Sequence, residues 1–221
     1  LISKYLIPPS TKLILAFLIL MEILKTLCSI HAPTGEEYRL KKFLLDYILK
    51  NQSGWKVKPV IYHGNGWKDT LVLVFGKPRT AIYAHMDSVS FIAQYQNELL
   101  PVGFPEAENG LKIRAVTNDQ EQTGTIRIDE NDRLFLEGMT VKPGTSFTYI
   151  PDFKMEDEFI CSPFIDNRVG IWVCLKLAAT LENGIIAFTT GEENSGGCVP
   201  FITRFVYEQY NLTQALICDI T

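Results

Sequence analysis

The chain has 221 residues, 47% hydrophobic and 21% charged, with a formal net charge of -4. That length and apolar content suffice to bury the core of one large or two small domains. The acidic balance, with no lysine or arginine cluster, excludes a nucleic-acid footprint and leaves nucleic acid out as a partner.

Five dispersed cysteines, Cys28, Cys161, Cys174, Cys198 and Cys218, read as reduced residues of a cytoplasmic protein rather than a disulfide framework. Residues 1–20 carry an apolar run, 13–20, that is too short to span a bilayer. No small-x-small cleavage site follows it. These residues read as a dispensable extension ahead of a functional start at Met21, and no membrane partner is expected.

From Met21 onward, Ile23, Leu24, Leu27 and Ile30 recur at helical spacing. Thr34-Gly35-Glu36-Glu37 sets a threonine three residues before a glutamate, the signature of a capped helix start. The helix that follows places Tyr38, Leu40, Phe43, Leu44, Tyr47 and Ile48 on one face. Residues 70–75 and 80–84 are apolar runs of strand length, and the second delivers His85. Between 88 and 160 prolines and glycines multiply. Short alternating segments at 111–116, 125–128 and 134–136 predict a small antiparallel β-domain, with a hairpin around Glu130-Asn131-Asp132. A buried helix over 169–181, a strand over 184–190, a helix over 199–210 and a strand over 215–218 complete the chain. This order predicts an α/β fold: a mixed, largely parallel sheet flanked by helices, with the β-domain inserted. The expected division is one domain from 21–87 and 160–221, interrupted by a second at 88–159.

Four motifs follow apolar runs: Ala84-His85-Met86-Asp87, Ile165-Asp166-Asn167-Arg168, Gly191-Glu192-Glu193 and Cys218-Asp219. Ligands of an open α/β sheet gather at the carboxyl ends of its strands, where His85, Glu192, Glu193 and Asp219 are predicted to lie. His85, Asp166, Glu193 and Asp219 are residue types that hold divalent metals. Alone, His85 would read as a core histidine; Asp87 two positions later is a partner able to fix its ring. Asp166 alone reads as a helix cap. Adjacent Glu192 and Glu193 repel unless a positive charge lies between them, so one ligand and one general base account for the pair. His31 and His63 lack acidic companions and read as structural or surface residues.

In that order the motifs, together with Ile30-His31-Ala32-Pro33-Thr34-Gly35-Glu36-Glu37 and Asp166-Asn167-Arg168-Val169-Gly170, resemble the glutamyl/tetrahedral aminopeptidase family of dinuclear metallopeptidases. The long interval from His85 to Asp166 is similar to that of the aminopeptidase branch, which carries a β-domain there. The resemblance implies a zinc-peptidase-like fold and two divalent ions, zinc or cobalt. It further implies that Asp166 bridges them, that His85 and Asp219 complete one site, and that Glu193 serves the other. Glu192 would be the general base and Asp87 would orient His85. The implied reaction removes N-terminal residues from peptides through a metal-bridging hydroxide, in a homo-oligomer. The family has Glu and Gly where this chain has Ser88 and Ser90. Its last metal ligand, a histidine, falls beyond Thr221, so the chain reads as a C-terminally incomplete form. The alternatives are a related dinuclear carboxypeptidase or deacylase, and a non-catalytic oligomerising scaffold.

Overall fold

The computed structural model describes residues 21–156 and 159–220; the reading of residues 1–20 lies outside it. Helix α1 covers 21–29 and α2 covers Tyr38–Asn51. A five-stranded sheet is then assembled from β1 (Val60–Tyr62), β2 (Leu71–Phe75), β3 (Thr80–His85), β12 (Gly184–Thr189) and β13 (Gln214–Ile217), in the order β1-β2-β12-β3-β13. Helices α3 (Ile165–Ala178) and α4 (Val199–Gln209) join these strands.

The apolar runs exist because β2 and β12 are covered on both faces, so neither face has room for polar side chains. On one face Leu71, Leu73, Phe75, Ile186 and Phe188 pack with Leu27 of α1, Leu40, Leu44 and Ile48 of α2, and Ile171 and Leu175 of α3. On the other, Val72, Val74, Ile185 and Ala187 pack with Ile202 and Val206 of α4. Successive residues of one strand thus feed opposite cores. Tyr38, expected on the apolar face of α2, is 46% exposed; it is the first residue of the helix.

The sheet is mixed, yet less parallel than expected. The β12–β3 and β3–β13 pairs are parallel, whereas β1–β2 and β2–β12 are antiparallel. Burial patterns report which faces are covered and carry no information on strand direction, which is why the sequence missed this. Between β3 and α3, the strands β4 (Ser90–Ala93), β5 (Glu98–Val102), β6 (Lys112–Thr117), β7 (Gln120–Ile128), β8 (Leu134–Glu137) and β9 (Ser146–Tyr149) close into an antiparallel barrel. Phe91, Ile113, Ile126 and Phe147 fill it and are fully buried. A short hairpin, β10 (Lys154–Glu156) with β11 (Phe159–Cys161), follows.

All five cysteines are free; Cys28, Cys174 and Cys198 are buried, while Cys161 is exposed. Among the described residues no helix is long and apolar enough to cross a membrane.

Candidate metal centre

Because β12, β3 and β13 run parallel in register, their carboxyl ends lie at one edge of the sheet. His85 is the last residue of β3, Glu192 and Glu193 form a short 3-10 turn just past β12, and Asp219 lies just past β13. Asp166 comes from the start of α3, where the backbone departs from helical geometry at Asp166 and Asn167 and the peptide between them is cis.

Three of the expected ligands converge. His85 Nε2 lies 2.9 Å from Asp166 Oδ1 and 3.6 Å from Asp219 Oδ1, and the ligand atoms of this trio all lie within 4.8 Å of one another. Imidazole is buried at 4% exposure, while the Asp166 side chain is half exposed, so the cluster opens to solvent on its carboxylate side. One nitrogen and two carboxylate oxygens around one point suit a borderline divalent ion of the zinc or cobalt type. Glu193 does not belong to this trio. Its half-buried carboxylate sits against Gly103 of the barrel, where a side chain would meet Glu193 Oε2 at 3.0 Å. Glu192 is exposed.

Asn167 brings Asp166 to Asp219. Its Nδ2 donates to Cys218 O at 2.6 Å, and its Oδ1 accepts the Gly170 N–H at 3.0 Å. The helix start and the strand end are thereby clamped together. A Cβ on Gly170 would lie 2.6 Å from Cys218 O, so only glycine permits the approach.

Asp87 is fully buried beneath the site. Its carbonyl lies 3.2 Å from His85 Nδ1 and its Oδ1 3.5 Å from the same atom, both acceptors, which places a proton on Nδ1 and turns Nε2 toward the carboxylates. The carboxylate also accepts the Thr34 hydroxyl at 2.8 Å and the N–H groups of Glu192 and Glu193 at 3.1 and 3.0 Å. Burial pushes the Asp87 carboxyl up, but the bonds from His85, Thr34 and Glu192 outweigh it and hold it below the ordinary range. Burial opposes protonation of His85, yet its bonds to Asp166 and Asp87 raise it to about 10. Burial, with Asp166, Asp87 and Glu192 nearby, raises Glu193 to about 7 against the pull of His85.

Two further residues shape the site. Arg168 is wholly buried, with Nε donating to Leu27 O at 3.2 Å and Nη1 to Met86 O. Its charge faces Asp87, Asp166 and Glu37. Glu37 is 3% exposed and accepts the Gly191 N–H at 3.1 Å. The capping box predicted over Thr34–Glu37 does not form: Glu37 itself occupies the cap position of α2 without a side-chain cap bond, and Thr34 turns to Asp87 instead. No local pattern distinguishes a glutamate that caps its own helix from one reaching a loop 154 residues away. His31 is buried with Nδ1 3.0 Å from Thr148 Oγ1, and His63 is exposed; neither reaches the cluster.

This arrangement is a mixed α/β fold with histidine and carboxylates at the ends of parallel strands. No family model and no curated protein matches the chain. Solved structures do. An aminopeptidase from the archaeon Desulfurococcus kamchatkensis superposes with a TM-score of 0.74 at 20% identity, covering 92% of this chain and 63% of that one. A TET aminopeptidase from the marine sediment archaeon Thaumarchaeota archaeon SCGC AB-539-E09 gives 0.72 at 16% identity, over 91% and 65%. The Pyrococcus horikoshii TET1 peptidase, which can assemble into a tetrahedron or a large octahedral shell, gives 0.67 at 18% identity, over 90% and 68%. At these identities the likeness is one of fold. The chain spans less than two thirds of the first of these proteins.

Proposed function

We propose that this chain carries most of the metal site of a metal-dependent aminopeptidase. The observation that supports the reading best is the convergence of His85, Asp166 and Asp219 within 4.8 Å beside the Glu192–Glu193 turn. The fold of the aminopeptidases described above points the same way. His85, Asp166 and Asp219 would hold one divalent ion, and Glu193 with Asp166 a second, zinc or cobalt in each case. Such ions supply Lewis-acid polarisation of the scissile carbonyl and acidify water.

The chain's own groups do the rest. Asp87 keeps the His85 proton on Nδ1, so that Nε2 presents its lone pair once the second proton leaves. Glu192, exposed at the mouth, takes a proton from the attacking water and returns it to the departing amine. The acidic rim of Asp166, Asp219 and Glu192 attracts the free α-ammonium of a peptide. We further propose that the active form is a cytoplasmic homo-oligomer.

Metal content tests this first. Purified chain is expected to bind zinc or cobalt, and His85→Ala to lose it, with cleavage confined to free-amine peptides over N-blocked ones. Cleavage of N-blocked substrates would move the reading to a dinuclear carboxypeptidase or deacylase. Absence of metal in both proteins would sink it.

A further inference from the structure

Three successive backbone N–H groups, those of Gly191, Glu192 and Glu193, point at two buried carboxylates. Glu192 and Glu193 donate to Asp87, and Gly191 donates to Glu37 Oε1 at 3.1 Å. Consecutive N–H donors around an anion form a concave nest. Here the anions are the protein's own, and they come from different elements: Asp87 follows β3, Glu37 begins α2.

The turn needs both. It starts at Gly191 with φ +75° and ends at Ser195 with φ +66°, two left-handed residues flanking side chains that repel each other. Two of these bonds go to the single Asp87 carboxylate. The third, from the residue before them, ties the start of the turn to a separate element, the beginning of α2. Glu37 Oε1 also accepts the Gly35 N–H at 3.1 Å, which fixes the carboxyl against its own backbone. Being 3% exposed, it does not compete with water for these donors.

We infer that Glu37 is a positioning residue: by holding the Gly191 N–H it sets where the Glu192 and Glu193 side chains stand relative to His85 and Asp166. The inference rests on the roles proposed above for those two glutamates. Groups that orient metal-binding residues typically contribute tenfold or more to affinity when removed.

Glu37→Ala and Glu37→Gln, each in the full chain, test it. Three readouts apply: cobalt affinity from visible absorption, kcat and KM on a free-amine peptide, and amide hydrogen exchange of residues 191–193 without metal. Glu37→Ala is expected to weaken cobalt binding and lower kcat, each by about tenfold, with KM within about threefold. Exchange at Gly191 should quicken by about tenfold. Glu37→Gln keeps the oxygen acceptor and should restore all three to within about threefold of the parent chain. A folded Glu37→Ala with affinity, kcat and exchange unchanged overturns the inference. So does equal loss in both variants, which would assign the effect to charge alone. If Glu37→Ala does not fold, Glu37→Asp, one methylene short of Gly191, takes its place under the same expectations. If the parent chain neither binds cobalt nor cleaves peptide, the proposed function fails, and exchange at Gly191 still decides whether Glu37 fixes the turn.

Discussion

Asp87 accepts the Glu193 N–H at 3.0 Å through the same carboxylate whose other oxygen lies 3.5 Å from His85 Nδ1. One buried side chain thus sets the ring of one candidate ligand and the backbone of another, although the two sit at the ends of different strands. Asp87→Asn keeps the shape and removes the charge. An amide has one acceptor oxygen, so one of the Glu192 and Glu193 N–H groups would face an NH2 and lose its partner. We expect a loss of about 2 kcal/mol in stability and of tenfold to about a hundredfold in metal affinity. Urea unfolding of the metal-free chain and zinc competition with a chromophoric chelator measure the two effects separately. Unchanged zinc affinity would mean that Asp87 does not orient the site.

Gly170 offers a second handle on the geometry. Alanine there would gain about 1 kcal/mol from helix propensity alone. Its methyl would also press on the Asn167 amide and stand 2.6 Å from the Cys218 carbonyl, a backbone atom with little freedom to yield. Overpacking of that kind costs about 1–3 kcal/mol. The clash therefore wins, and Gly170→Ala should be less stable on balance and should part Asp166 from Asp219. Reduced thermal stability together with weaker zinc binding is the expected result; a more stable variant would show that propensity dominates.

The sequence revealed what local physics controls. Strands β2 and β12 are buried on both faces, and β3 on one face and partly on the other, so they announce themselves as apolar runs. The hairpin of β7 and β8 was visible in its alternation, and Ile128 does pair with Leu134. Barrel strands β4, β5 and β9 were not visible. They are four or five residues long, and their pairing depends on closure with distant partners rather than on their own pattern. The convergence of His85, Asp166 and Asp219 was legible because each residue sits at an element end. Glu37 and Arg168 could not be assigned their places, because the contacts that define them join residues far apart in the chain: Glu37 to Gly191 and Arg168 to Leu27.

Arg168 is a buried charge neighbour of both Glu37 and Asp87, and it remains cationic at neutral pH even though burial lowers it to about 10. Removing it takes one donor from Leu27 O and the side-chain donor from Met86 O, and deprives Asp87 and Glu37 of a buried neighbouring positive charge. Truncating one partner of a buried ionic network costs about 3–5 kcal/mol. Arg168→Met, which keeps much of the volume, should fall in that range by chemical denaturation. Arg168→Lys should recover less than half of the loss, since one ammonium cannot span both carbonyls as the guanidinium does. A loss below about 1 kcal/mol in Arg168→Met would show that the buried charge is dispensable.

Glu37 gives stability a pH dependence of definite sign. Burial raises its carboxyl from the ordinary 4.5 to about 7, against the lowering effect of the Gly35 and Gly191 bonds. Between those values the unfolded chain has lost the proton and the folded chain retains it, so the folded state binds more protons and stability falls as pH rises. The stability associated with the protonated group is complete below the unfolded value and is lost as pH climbs through about 7. Across the window the difference amounts to about 3 kcal/mol. Glutamine does not titrate. The unfolding free energy of Glu37→Gln relative to the parent chain, measured in chelator, should therefore shift in favour of the variant by that amount between about pH 4.5 and 8. Other acidic groups titrate alike in both proteins and cancel in the difference. A flat difference would mean that Glu37 ionises in the folded chain as it does in water, and that its burial is offset by the N–H groups it holds.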